Sequence, residues 1–173
     1  MQHALFITSE DVKLHIMIAK ILRLQGRLQE AYVSICNASN VFNKINKSAD
    51  NRACPVALPA EITRQTNLVL NEIALNFGLE GDYEKAILLY NRIIKEEIAL
   101  VANDTGTFAV KMDFNYYLNR GDCYRAQDKL REAIEDYSLA LEVVDVETNM
   151  HINNRLSMSY YLLAVKAYNK SDL

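Results

Sequence analysis

The side chains that most often perform chemistry are few and scattered in this sequence. The three histidines are His3, His15 and His151, and none lies three or four residues from another histidine or from a cysteine. The spacing therefore gives no sign of a metal site or of a nucleophile activated by a neighbouring base. Glu96 and Glu97 are adjacent, so on a helix they point to different sides and cannot flank one substrate bond.

The cysteines and glycines give no stronger indication of catalysis. Cys36, Cys54 and Cys123 form an odd, widely spaced set without a CxxC pair, which is typical neither of a disulfide framework nor of a zinc site. Gly78 and Gly81 lie between apolar helical segments and do not form a phosphate-binding loop. We predict that the chain is not an enzyme and that it needs no cofactor and no metal.

Composition narrows the class of protein. The chain has 173 residues, 50% of them hydrophobic, with a net charge of -3, and only 5 Gly and 2 Pro. So few chain-breaking residues disfavour an all-β sandwich and a disordered chain. The mild acidity argues against a nucleic-acid partner. No apolar run reaches the roughly 18 residues of a membrane span or the roughly 7–15 of a secretory core, so we expect a cytoplasmic protein without a membrane partner.

Apolar residues recur at spacings of three and four along almost the whole chain, which predicts seven helices in antiparallel pairs and an all-α fold. The third helix should begin near Ala60, the fifth near Phe108, and the last should bury a stripe that includes Tyr160. The predicted organisation is a first pair over 8–46, a loop insert over 47–59, a second pair over 60–102, a third pair over 107–145 and a final helix over 146–170.

An internal repeat underlies the three pairs. Small and bulky residues recur at matched spacings, namely Ala19, Leu22, Gly26, Ala31, Ile35 and Ala38, then Ala74, Phe77, Gly81, Ala86, Tyr90 and Ile93, then Gly121, Tyr124, Asp128, Ala133, Tyr137 and Ala140. Small side chains let two helices approach closely, and the larger ones fill the space between pairs. The pattern predicts nested helical hairpins.

At these spacings the chain resembles the tetratricopeptide repeat (TPR) family. The best match is Tyr117–Tyr124 followed by Ala133–Ala140. The resemblance implies an α-solenoid of about three and a half repeats. Ala31, Ala86 and Ala133 lie 55 and 47 residues apart, whereas the family period is about 34. We attribute the excess to inserts and to elongated helices, with Ala60–Thr66 and Phe108–Asp113 as the added helical segments.

The resemblance also implies a peptide-binding groove lined by the first helix of each pair. Carrying the family's groove positions over gives ten candidates: Lys13, Ile16, Lys20, Arg23, Leu68, Asn71, Leu75, Asn115, Leu118 and Asn119. Asparagine can donate to and accept from a peptide backbone, and the cations would favour acidic residues at one end. Glu72 would repel the carboxylate that chaperone-binding members of the family capture. The alternative is that these residues bind no ligand and only face solvent or pack within the repeats.

The end of the array is a second candidate surface. The last helix is apolar nearly all round, with Tyr161 and Leu162 beside its predicted core stripe. A solenoid needs its terminal faces covered, so we expect a partner or a further segment there. The expected function is a non-enzymatic protein-interaction scaffold that binds a peptide or helix in the groove or docks through its end helix. Cytoskeletal and ciliary assemblies are the setting implied by the family, and the alternative is a non-catalytic TPR arm of a larger enzyme or a co-chaperone-like adaptor.

Overall fold

The computed structural model describes residues 9–48, 57–103, 113–143 and 149–171. Within these ranges the chain is all-α, with seven helices and no strand. Their bounds are α1 Ser9–Leu24, α2 Leu28–Ser48, α3 Ala57–Glu80, α4 Tyr83–Asn103, α5 Asn115–Ala126, α6 Leu130–Val143 and α7 Asn149–Ser171. The expected fold, TPR-like helix pairs, is confirmed.

The chain divides into two compact units, Met1–Glu72 (unit 1) and Ile73–Leu173 (unit 2). In unit 1, α1 packs against α2, and the first part of α3 supplies carboxylates to α1. In unit 2, α5 packs against α4 and α6, and α6 packs against α7. Many of the repeating small residues of the sequence pattern are buried in these units, among them Ala19, Ala38, Ala74 and Ala140.

The predicted small residues lie in the core. Ala31, Ala86 and Ala133 have no exposed surface, and Gly121 is also buried. The bulky residues four positions after each alanine are equally inaccessible: Ile35, Tyr90 and Tyr137. Small side chains therefore sit where two helix backbones approach, as close packing requires.

Helix lengths explain the irregular repeat spacing. α3 has 24 residues and α4 has 21, whereas α5 and α6 have 12 and 14. The predicted extension over Ala60–Thr66 is helical. α3 begins even earlier, at Ala57, so Pro59 lies in its first turn and not in the predicted loop. Proline is tolerated there because the first N–H groups of a helix have no intrahelical acceptor.

The predicted extension of α5 over Phe108–Asp113 is wrong at its end. Asp113 is not helical, Phe114 lies in a turn, and α5 begins at Asn115. The Asp113 carboxylate accepts hydrogen bonds from the backbone N–H (3.0 Å) and the side-chain amide (2.7 Å) of Asn115. This local pairing competes with helix continuation. Residues 104–112, where the rest of the prediction falls, lie outside the described ranges.

The turn inside each pair ends the first helix in the same way. One residue adopts a left-handed conformation in each turn: Gly26 (φ 74°), Gly81 (φ 84°) and Asp128 (φ 65°). The next N–H donates to a carbonyl five residues back, in the pairs Arg27–Leu22 (2.9 Å), Asp82–Phe77 (2.8 Å) and Lys129–Tyr124 (2.9 Å). This is the Schellman motif. Glycine suits the position because it lacks the Cβ that disfavours positive φ, and aspartate tolerates it better than most residues.

Replacing Gly81 by alanine should lower the free energy of unfolding by about 1 kcal/mol, because a side chain strains the left-handed backbone. A Cβ at this position would meet no atom within 4 Å. The strain of the left-handed backbone is therefore the only expected source of the loss. Gly78→Ala is the matched control: it lies inside α3, and its Cβ would make an ordinary 3.7 Å contact with Cys123 Sγ. Urea unfolding should show a loss for the first variant and no loss for the second, and equal losses would contradict the prediction.

Candidate functional site

The cationic candidates of unit 1 all have carboxylate partners within the chain. The ion pairs are Lys13–Glu10 (2.7 Å), Lys20–Glu61 (2.7 Å) and Arg23–Glu72 (2.5 Å). The last two join α1 to α3, so these residues help to fix the two helices together. Because partly exposed pairs of this kind contribute only about 0–1 kcal/mol each, an acidic ligand could compete for the cations.

Two candidate residues of unit 1 each have a buried polar atom without a hydrogen-bond partner. Arg23 Nε and Asn71 Oδ1 are buried and have none within the described ranges, although Arg23 Nη1 pairs with Glu72. A buried polar group without a partner is unfavourable by roughly 1–3 kcal/mol. A peptide backbone would satisfy this donor and acceptor only after the two side chains turn outward, because both atoms are buried in the unliganded chain.

The apolar candidates of unit 1 differ in how far their side chains are exposed. Ile16 is 4% exposed and belongs to the core of this unit, so its side chain is not available to a ligand. Leu68 is half-buried on α3. Periodicity could not separate Ile16 from its exposed neighbours on α1, because Leu14, Met17 and Ile18 are apolar as well.

In unit 2 the candidate asparagines already make hydrogen bonds. Asn115 donates to Asp113, and Asn119 is hydrogen-bonded to the hydroxyl of Tyr90. The Asn119 amide therefore helps to hold α5 against α4, whereas Asn115 pairs with the residue just before its own helix. Leu118 on the same helix is half-buried, and Leu75, at the end of α3, is 40% exposed.

Asp122 links three helices of unit 2. Its Oδ1 accepts a hydrogen bond from the Tyr137 hydroxyl of α6 (2.7 Å) and one from Arg155 Nε of α7 (3.1 Å). Arg125 Nη2 lies 3.5 Å from the same oxygen. The sequence analysis did not identify Arg155, whose partner lies 33 positions away in the chain. A lone arginine in a helix without acidic residues was the available signal.

A second charged cluster lies deeper in unit 2. Arg120 donates to both carboxylate oxygens of Asp136, at 2.8 and 2.6 Å, and to Asn91 Oδ1 at 2.5 Å. Burial raises the pKa of Asp136, while the hydrogen bonds and charge of Arg120 oppose this shift. The Asp136 side chain is only 4% exposed, so the cluster has a structural role and does not face a ligand.

The histidine, cysteine and acidic side chains are dispersed over the described helices. The described residues contain no group of three His, Cys, Asp or Glu side chains placed to hold a metal ion. His15 is half-buried in α1, His151 is exposed on α7, and His3 lies outside the described ranges. Burial and the nearby Asp122 raise the pKa of the Cys123 thiol to about 11, which keeps it protonated and poorly nucleophilic at neutral pH.

Among the described helices, none combines the length and the apolar character that crossing a membrane requires.

Comparison with known proteins identifies the repeat. The family model of the tetratricopeptide repeat matches residues 114–143, which contain α5 and α6 and the strongest match of the sequence analysis. The chain is 28% identical over 131 residues to tetratricopeptide repeat protein 16 of Mus musculus. The alignment covers 75% of this chain but 15% of that relative. The paired helices and their shared turns agree with these matches, which show that residues 114–143 resemble a tetratricopeptide repeat.

Proposed function

We propose that the chain is a non-enzymatic protein-interaction scaffold. TPR proteins generally act through protein partners, and this supports an interaction role. The peptide-binding residues proposed for unit 1 are Lys13, Lys20, Arg23, Leu68 and Asn71, and those proposed for unit 2 are Leu75, Asn115, Leu118 and Asn119.

The observation that carries the proposal is the cluster of polar side chains that joins α1 to α3. There a donor, Arg23 Nε, and an acceptor, Asn71 Oδ1, have no hydrogen-bond partner within the described ranges. The neighbouring Lys20–Glu61 pair is partly exposed and weak enough to exchange for a ligand carboxylate. A peptide with an acidic residue would therefore gain a charge partner, and it would satisfy Arg23 Nε and Asn71 Oδ1 once those side chains turn outward.

Selection from a displayed random-peptide library tests this function directly. We expect the full chain to enrich peptides with acidic residues, and the double variant Arg23→Ala/Asn71→Ala to bind a selected synthetic peptide at least about tenfold more weakly, equivalent to 1.4 kcal/mol. Fluorescence anisotropy gives the Kd, and circular dichroism verifies that the variant is folded.

The matched control changes the same residue types away from this surface. Arg92 also pairs with a carboxylate, Glu96 at 2.8 Å on α4, and Asn76 is exposed on α3. Arg92→Ala/Asn76→Ala should leave the Kd unchanged. Equal binding by the Arg23/Asn71 variant and the wild-type chain would show that the peptide does not bind in the proposed groove.

A second mode of binding, docking through α7, is favoured by the apolar side chains that this helix exposes. The alternative is a non-catalytic arm of a larger enzyme; the chain spans 15% of the length of the relative it matches. A co-chaperone-like role is less well supported, since Glu72 neutralises the cation that a carboxylate-binding groove would need. The cytoskeletal or ciliary setting remains a prediction, which localisation of the tagged protein would test.

A further inference from the structure

The first helix, α1, has apolar side chains on two sides. One side buries Val12 and Ile16 in the core of unit 1. The other side, which we call the α1 outer face, consists of five large apolar residues that are all exposed: Leu14, Met17, Ile18, Ile21 and Leu24. At about 100° per residue these five occupy about one third of the helix circumference, and no polar residue between Glu10 and Gln25 falls within this arc. An apolar arc of this width is typical of a helix face that another element covers.

The internal repeat matches the α1 outer face to a face of α5. Each α1 position corresponds to the α5 position 102 residues later, as Ala19 corresponds to Gly121. The structure supports this register, because α1 ends at Leu24 and α5 ends at the matched Ala126. The helices that follow them also begin at matched positions. The α5 counterparts of Leu14, Met17, Ile18 and Ile21 are therefore Tyr116, Asn119, Arg120 and Cys123.

In unit 2 that face of α5 is covered by α4. The two helices pack together, and Asn119 is hydrogen-bonded to the hydroxyl of Tyr90 on α4. After burial, the charge of Glu97 contributes most to raising the pKa of Tyr116, so these two residues are neighbours as well. The later residue of α4 thus lies beside the earlier residue of α5, which means that the two helices run antiparallel.

Burial distinguishes the two matched faces. Tyr116 is 3% exposed and Cys123 is 6% exposed on α5. Their counterparts on α1, Leu14 and Ile21, are 55% and 53% exposed. The α1 outer face therefore has the position and the apolar character of a covered helix face without the cover that α4 gives to α5.

The residues of the α1 outer face also define what could cover it. On α5, Arg120 Nη1 donates to Asn91 Oδ1 of α4 at 2.5 Å, and Asn119 is hydrogen-bonded to α4 as well. The matched positions of α1 are Met17 and Ile18, whose side chains offer no such hydrogen bonds. A polar side chain placed against them would be buried without a partner, which is unfavourable. The covering helix should therefore be apolar along the whole stripe that faces α1.

We propose that the α1 outer face binds an amphipathic helix of a partner protein, which runs antiparallel to α1 and buries an uncharged apolar stripe against it. The affinity would come mainly from apolar area removed from water, as in other complexes that recognise an amphipathic helix. This surface goes beyond the proposed function. Lys20 and Arg23 of the proposed groove lie on another side of α1, where they pair with carboxylates of α3.

Binding of a synthetic helix to the full chain tests the proposal. The probe has 21 residues, the length of α4, with leucine at spacings of three and four along one stripe and Glu, Lys or Gln elsewhere. Fluorescence anisotropy should give a Kd below about 100 µM for the wild-type chain. Met17→Glu should bind at least about tenfold more weakly, because the complex would bury an unpaired charge. Leu88→Glu changes a comparably exposed residue of α4 and should bind like the wild type.

A second peptide of the same composition, with its leucines distributed around the helix, should not bind. Equal binding of the two peptides would overturn the requirement for an amphipathic helix. A wild-type chain that does not bind the probe would overturn the proposal, as would a Met17→Glu variant that binds equally well. Circular dichroism verifies that each variant is folded.

Two other occupants of the face would be recognised by the same materials, and either would overturn the choice of a partner helix. A dimer of the wild-type chain in sedimentation that Met17→Glu dissociates would assign the face to a second copy. Probe binding that requires removal of residues 1–7 would assign it to the start of the chain itself. The groove experiment uses Arg23 and Asn71, so either result leaves the other interpretable.

Discussion

Replacing Asp136 by alanine should lower the free energy of unfolding by about 3–5 kcal/mol, because it leaves the charge of Arg120 buried without an anion. The Arg120 side chain is 16% exposed and makes two hydrogen bonds to this carboxylate. Asn91 would remain as an acceptor, but a neutral amide does not balance the charge. Chemical denaturation monitored by circular dichroism measures the loss.

Two further variants separate the ion pair from general effects of substitution. Glu135→Ala changes an exposed carboxylate at the adjacent position of α6 and should alter stability by less than about 0.5 kcal/mol. Asp136→Asn keeps the shape and removes only the charge, so it should be destabilising even if the alanine variant fails to fold. Wild-type stability of the asparagine variant would show that the buried charge pair is not needed.

The second large effect is expected at Gly121. An added Cβ would lie 2.7 Å from Cε1 of Tyr137 and 3.2 Å from Cβ of Asp136. The ring cannot move easily, because it is fully buried and its hydroxyl donates to Asp122. Gly121→Val should therefore destabilise the protein by about 3 kcal/mol, at the upper end of overpacking effects. Thermal and urea unfolding provide the measurement.

A matched substitution checks that the effect comes from the close contact. Ala126→Val introduces the same branched side chain at an exposed position of α5 and should cost no more than about 0.7 kcal/mol through helix propensity. Gly121→Ala should lie between the two, since alanine gains helix propensity while its Cβ still meets the ring. Equal losses for the two valine variants would contradict a packing role for Gly121.

The sequence alone determined the helical fold and the nested pairs. A small residue recurring before each turn and another after it is a strong constraint, because only a small side chain fits where two helix backbones approach. Gly26, Gly81 and Asp128 mark equivalent turns for the same local reason: each residue must adopt a positive φ. Such information lies in short stretches of chain and can be read without knowledge of distant contacts.

Only the tertiary structure decided which apolar side chains are exposed and which charged side chains form ion pairs. Ile16 and Tyr160 have similar apolar surroundings in sequence, yet Ile16 is buried and Tyr160 is exposed, because a helix that is apolar on both sides does not reveal which side its neighbours cover. The pairing of Arg155 with Asp122 likewise depends on how α7 packs, since the two residues lie 33 positions apart. Helical periodicity shows which residues share a face of one helix. Burial and ion pairing depend instead on where the neighbouring helices lie.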